Sequence, residues 1–457
     1  LFYHDNFYFC RNKPADMSFI TSSARIPAIK QGDPKVIRAW IMYDWANSAY
    51  QLTITSAIFQ VYYNAVTCSC DDCLVNFFGF QIINTVLYSY TVAAAFLIVG
   101  LLSPLFSGLA DYTGRRKTFM KVFTLIGSLS CGVLYFFDRD HITLGIIAFG
   151  LGTLGYAGSI VFYNSFLPVI AAPEDQDKIS ARGYAMGYIG GVILLLFNLW
   201  MIQFPDFFGI PANSTLPARI SFLSVGVWWL GFSQITFLRL PKYTFRQRTG
   251  NENLITNGYK ELRNVFDIIR KSFTLSCYLA GFLFMMMGVL TVMFMAASFG
   301  AKELKLPDEV LIPTILVIQF VGIAGAWSFA RISKHTGNFK ALIMAVIIWI
   351  FICLGSYTIQ SATGFIIAAV FIGFVMGGSQ SLARSTYSKL LPETTDHTSF
   401  FSFFDVMEKL ATVCGLALFG LMNSLTNGMR TGVLMLAVFF VISLFFFLLL
   451  AKKGIRQ

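Results

Sequence analysis

The sequence predicts an all-α integral membrane protein, with twelve transmembrane helices in two six-helix bundles. Three observations carry this expectation. The 457 residues are 56% hydrophobic and only 12% charged, about half the roughly 25% charge of a soluble domain, and the mean hydropathy is +0.67. Apolar runs of bilayer-crossing length, roughly 20 residues each, recur twelve times. The basic residues collect on alternate connections, as they do in chains that cross a membrane an even number of times. This composition is poorly compatible with secreted disulfide scaffolds and disordered chains, and the net charge of +11 reads as membrane topology with no nucleic-acid partner.

Taken in order, the first Met is Met17 and residues 1–16 show no helical period, so no span is expected among them. No cleavable signal, acylation or prenylation motif is visible, and the first span is expected to act as its own insertion signal. The spans fall near 38–65, 84–110, 118–137, 142–170, 182–203, 218–238, 273–299, 309–333, 341–359, 363–391, 399–425 and 430–451. Polar residues in the first, fourth, tenth and eleventh leave those four open to trimming by a strict hydropathy criterion. If both termini share a side with the even-numbered connections, that side holds 28 Lys and Arg and the other holds five. Both termini are therefore expected in the cytoplasm.

The longest connection divides the chain into residues 1–35 (cytoplasmic segment), 36–238 (N-terminal bundle), 239–271 (linker), 272–451 (C-terminal bundle) and 452–457 (tail). Within the linker, Tyr259, Leu262, Phe266 and Ile269 recur at helical spacing with Lys260, Arg263 and Arg270 off that face. This is the pattern of an amphipathic helix on an anionic membrane surface, or of a solvated linker helix.

The halves echo each other. Thr113, Gly114 and Lys117 match Thr336, Gly337 and Lys340 at a shift of 223, and Tyr163, Leu167 and Pro168 match Tyr387, Leu391 and Pro392 at a shift of 224. A six-plus-six parallel repeat suits transporters that rock two bundles about a central site. In the first copy Gly114 permits a tight reversal, and Arg115, Arg116 and Lys117 anchor the loop at the surface. Asp111 is placed to meet basic groups or the positive end of a neighbouring helix.

The 111–117 stretch, Asp-Tyr-Thr-Gly-Arg-Arg-Lys, resembles the signature loop of the major facilitator superfamily. Ser107 replaces the usual leading glycine, and Lys334 stands in the second copy where an acid is common. The 43–50 stretch Tyr-Asp-Trp-Ala-Asn-Ser-Ala-Tyr, the 162–168 stretch Phe-Tyr-Asn-Ser-Phe-Leu-Pro and the 403–409 stretch Phe-Phe-Asp-Val-Met-Glu-Lys narrow the match. Together they resemble the vacuole effluxer-like branch, a largely prokaryotic group similar to fungal autophagy-linked exporters of vacuolar amino acids. The resemblance implies a secondary transporter of a small solute, with amino acids as a substrate class. The rest of the assignment is an alternating-access carrier in a bacterial plasma membrane, monomeric, with protons as coupling ion and no cofactor.

Ionisable residues inside a span should face protein or water. In span one Asp44, Asn47, Ser48, Gln51 and Thr55 form a polar stripe, read either as a cavity wall, with Asp44 accepting protons or pairing with a cation, or as a hydrogen-bonded seam. Asn164 in span four joins the candidates. Gln380 and Arg384 share a face of span ten; Arg384 is expected to hold a substrate carboxylate through its planar fork or to latch onto Asp405 or Glu408. In span eleven Asp405, Glu408 and Lys409 stand at i, i+3 and i+4. They form a neutral structural set or, through the deeper Glu408, a proton-coupling site, because a carboxyl out of water takes up a proton more readily.

Gly183, Gly187 and Gly191, with Gly190 beside them, mark a close-packing face in span five. Cys68, Cys70 and Cys73 on the outer side suit either a disulfide or a metal-capturing loop. Against an embedded enzyme stand the lack of His-Glu-x-x-His, Gly-x-Ser-x-Gly and phosphate-loop patterns, and the mere four His. The surviving alternative is a non-transporting nutrient sensor of the same fold. Short cytoplasmic segments argue against its output domain, and the repeated halves argue against a channel.

Overall fold

The computed structural model describes residues 31–67, 73–211, 214–241, 254–394, 396–426 and 428–453. The unperiodic start, Cys68 and Cys70 lie outside the described residues. Asp33 caps the first helix by accepting the Lys35 N–H at 2.8 Å, with Pro34 at the first helical position. The first crossing then runs as α1 (Pro34–Ala49), a π-helical segment (Tyr50–Ile58) and α2 (Phe59–Thr67). Hydropathy is blind to this change of winding. In the wide segment the Ser56 hydroxyl donates to the Gln51 carbonyl five residues back at 3.0 Å, the spacing a π turn favours. The polar stripe expected from α-helical spacing therefore holds from Asp44 to Ser48 and changes register beyond Ala49.

A hairpin absent from the sequence reading, β1 (Leu74–Phe77) and β2 (Phe80–Ile83), follows the crossing; Phe78 and Gly79 turn it at positive φ. Beside it Cys73 is disulfide-bonded. The remaining helices are α3 (Asn84–Thr113), α4 (Arg116–Val133), α5 (Ile142–Asn164), the short α6 (Leu167–Ile170), α7 (Pro173–Gln203), α8 (Leu216–Arg239), the linker helix α9 (Leu254–Lys271), α10 (Phe273–Lys302), α11 (Asp308–Thr336), α12 (Asn338–Ser356), α13 (Ala362–Leu390), α14 (His397–Thr426) and α15 (Met429–Lys452).

Among the described residues, ten helices are long and apolar enough to cross a membrane. The two further crossings, α1–α2 and α14, carry the polar stripe and the Asp405–Lys409 cluster. Of the four spans open to trimming by a strict hydropathy criterion, the fourth and tenth are among these ten. Each bundle has its own aromatic core. Trp229, Phe59, Phe149 and Tyr50 centre the first, and Trp349, Phe440, Tyr278 and Phe282 the second. The small-residue face of α7 does pack against α1: a Cβ on Gly187 would meet the Ser48 hydroxyl at 2.4 Å, and one on Gly190 the Trp45 carbonyl at 2.6 Å.

The two repeat loops end α3 and α11 on a glycine at positive φ, though in different conformations, ψ being 18° at Gly114 and 154° at Gly337. Gly114 closes α3 in the left-handed region at φ 66°, and Gly337 closes α11 at φ 87°. Gly114→Ala is expected to lower stability by about 1 kcal/mol through the Cβ clash of that conformation, seen as a lower thermal midpoint in detergent.

The linker helix divides its expected apolar face between protein and surface. Val265 and Ile269 are buried in the C-terminal core, while Tyr259 and Phe266 are exposed. Phe266 approaches the ring of Phe403 at 6.0 Å, and α9 also packs along α3 of the other bundle. Protein, rather than lipid alone, thus takes the apolar side. We call the end of the molecule bearing α9 the linker side.

Candidate functional site

Asp44 sits on α1, one turn before the glycine-lined crossing with α7, and its carboxylate meets Arg384 of α13. Oδ2 accepts from both Nη1 and Nη2 at 3.2 Å, and the two side chains are 11% and 3% exposed. The expected partners of Arg384, Asp405 and Glu408, lie elsewhere: Lys409 neutralises Asp405 at 3.1 Å and reaches Glu408 at 3.4 Å. A pairing between residues 340 positions apart leaves no periodic trace in the chain.

The guanidinium is surrounded. Nε donates to the Ser180 hydroxyl and Nη2 to the Ser180 carbonyl, both at 2.9 Å, and Nη1 donates to Asn164 Oδ1 at 3.4 Å. The rings of Tyr184, Trp40 and Tyr163 lie 4.3, 4.8 and 5.6 Å from its central carbon, within cation–π range. Tyr163 donates its hydroxyl to Asp44 Oδ2 at 2.7 Å, and the Trp40 indole N–H donates to the Tyr163 carbonyl at 3.0 Å. Trp40, Ser180 and Tyr184 were not singled out in the sequence, and Tyr163 was read there only as a repeat and motif position. For Trp40, one turn before Asp44 on the same helix, an aromatic beside an intramembrane charge was the signal available.

Towards the middle of the bundles the contacts become lighter. Tyr156 donates to Gln51, and Tyr188 donates across the bundles to Gln380 at 3.1 Å. Asn47 is buried, accepting from Ser48 at 3.5 Å while its Nδ2 finds no partner. Glu408, at 32% side-chain exposure, is more open than Asp44, Arg384, Asp405 or Lys409. Asp405 is buried with Oδ2 unpartnered, and Lys409 lies 5.4 Å from the Phe96 ring.

Two further contacts join the bundles at the linker side. Asp111 does both things expected of it. Oδ1 accepts from Arg116 Nε at 2.6 Å, and Oδ2 accepts from the Ser399 N–H in the first turn of α14 at 2.7 Å, where the helix dipole favours an anion. Lys117 donates to the Leu240 carbonyl at 2.7 Å, tying the loop to the end of α8, while Arg115 and Lys340 face outward.

The second contact was not foreseen. Asp177, in the first turns of α7, accepts from Lys389 Nζ at 2.7 Å and the Ser333 hydroxyl at 2.8 Å on Oδ2, and from Asn338 Nδ2 at 2.8 Å on Oδ1. All three donors belong to the other bundle. Among the described residues, the polar contacts between bundles lie at the linker side or near the middle, so this is a linker-side-closed arrangement.

The chain resembles known proteins along almost its whole length. An uncharacterized major facilitator-type transporter of Bacillus subtilis, YxiO, is 27% identical, over 89% of this chain and 92% of that one. Autophagy-related protein 22 of Yarrowia lipolytica is 24% identical over 84% and 79%. Among solved structures, the human organic anion transporter MFSD10 superposes with a TM-score of 0.67 at 11% identity, covering 90% of this chain and 99% of that one. The proton:xylose symporter XylE gives 0.68 at 10% identity, over 90% and 94%. These distant likenesses share the twelve-helix major facilitator fold. The family model described as "Vacuole effluxer Atg22 like" matches residues 32–457, and the chain belongs to that family of major facilitator transporters.

Proposed function

We propose that the protein is a secondary active carrier that moves a small solute by rocking residues 36–238 against 272–451. The carrying observation is the Asp44–Arg384 pair, two buried charges from opposite bundles whose separation on the linker side would open the central polar residues to that face. The excess of basic residues on that side supports equating it with the cytoplasm, and with the bacterial relative it supports a plasma-membrane location with both termini inside. Amino acids are the solutes to test first, on the strength of the family.

The test is counterflow in proteoliposomes with a panel of labelled amino acids. Accumulation driven by unlabelled internal solute is the expected result, with Asp44→Asn inactive. A folded protein that gives no counterflow on the whole panel would remove the amino-acid assignment.

Protons are the coupling ion in this reading, taken up at Glu408, whose partial exposure among buried charges supports the role. Glu408→Gln is expected to lose pH-driven uptake while exchange persists, measured in the same vesicles under an imposed pH step. Unaltered pH dependence in the variant would remove Glu408 from the coupling path.

A further inference from the structure

Arg384 grows from α13 of the C-terminal bundle, yet its hydrogen-bond and ring partners all belong to the N-terminal one. Asp44 and Trp40 are on α1, Tyr163 and Asn164 on α5, Ser180 and Tyr184 on α7. These hosts are tied to one another without Arg384. Tyr163 holds Asp44, Trp40 stacks on Tyr163 with ring centroids 4.5 Å apart, and the Trp40 N–H is anchored on the Tyr163 carbonyl. The space itself is cut by Gly183, where a Cβ would stand 2.3 Å from Asp44 Oδ2 and 2.8 Å from Arg384 Nη2.

If the bundles part on the linker side, Arg384 leaves with α13 and the receptor stays behind. It then consists of a carboxylate, a serine hydroxyl and carbonyl, an amide oxygen and three aromatic rings, all acceptors or ring faces. Such a set suits a flat or compact organic cation. It also leaves Asp44 without its counter-charge, which a bound cation would supply.

We propose that the seat vacated by Arg384 is a binding site for a solute carrying a guanidinium or primary ammonium group, reached from the linker side. This inference rests on the alternating-access reading. Cargo and Arg384 compete for one seat, so a bound cation favours the linker-side-open arrangement, and closure from that side displaces it.

The test uses full-length Arg384→Ala protein in nanodiscs, in which the seat is always vacant, titrated calorimetrically with methylguanidine, methylammonium and the neutral isostere N-methylurea. Saturable binding of methylguanidine is expected, at least tenfold tighter than N-methylurea. Adding Asp44→Asn, or filling the cradle with Gly183→Leu, should weaken it at least tenfold. Equal binding of methylguanidine and N-methylurea, or indifference to Asp44→Asn, overturns the proposal.

Should Arg384→Ala not remain monodisperse, the same ligands are read on the protein with Arg384 in place through the distance between spin labels at Lys178 and Glu393, exposed residues of opposite bundles. Methylguanidine should lengthen it and N-methylurea should not; no change with either overturns the site. Counterflow with Arg384 in place is scored separately. A protein that exchanges solute without cation preference loses the seat and keeps the carrier.

Discussion

In Asp44→Asn protein the bundles are expected to separate on the linker side, with the Lys178–Glu393 spin-label distance shifting from a short to a long population. The substitution leaves Arg384 charged in a pocket where it is 3% exposed. Removing one partner of a buried pair is strongly destabilising, by about 3–5 kcal/mol, because the remaining charge is uncompensated. In a single rigid body that penalty would fall on folding. Here the stranded cation belongs to the other bundle, and opening carries it out of the pocket, so the penalty falls on the closed state.

Every 1.4 kcal/mol is a factor of ten, so the closed-to-open ratio should drop by at least about 10²-fold. Arg384→Gln in the same protein removes the second charge and should recover much of the closed population, since two amides can share a hydrogen bond. That coupling is what a double-mutant cycle measures. Additive effects of the two substitutions would mean that the pair is not what holds the linker side shut.

The twelve crossings and the repeat could be read from the sequence because hydrophobic length and basic loops are local quantities. Asp111, Gly114 and Arg116 were legible for the same reason, as a motif confined to one turn. What stayed hidden is of two kinds. The π-helical segment after α1 depends on which backbone carbonyl each N–H reaches, and apolar content does not record that. The partners of Arg384 depend on which bundle faces which, and they come from three helices of the opposite half.

Asp177 was missed differently. It stands just after an acidic first turn, Pro173–Gln203 beginning Pro-Glu-Asp-Gln-Asp, where acids are ordinary complements to a helix dipole. A clue was nonetheless present. Lys334 occupies the place in the second repeat that Asp111 holds in the first, and the missing acid has a substitute on the facing helix.

That substitution gives the second large prediction. Asp111 and Asp177 both belong to the N-terminal bundle, and both point at the first turn of a C-terminal helix, α14 through Ser399 and α12 through Asn338. Both seams thus rest on an acid of the N-terminal bundle, from α3 in one case and α7 in the other, but Asp111 takes a backbone N–H of the C-terminal bundle where Asp177 takes three side-chain donors. Lys389, 12% exposed, lies between Asp177 and Asn338 Oδ1, 3.0 Å from the latter.

Asp177→Lys would place two cations face to face there, and the closed state should be lost as fully as in Asp44→Asn. Asp177→Asn should shift the balance less, by about 1.5–3 kcal/mol for a hydrogen-bonded charge, because Lys389 is more exposed than Arg384 and can turn to solvent. The exchange Asp177→Lys with Lys389→Asp restores opposite charges, and the spin-label distance should return most of the way to the short population. An exchanged pair that stays as open as Asp177→Lys alone would show that the surrounding network, Ser333 and Asn338 with their fixed donors, selects the carboxylate on α7 and not merely a charge of either sign.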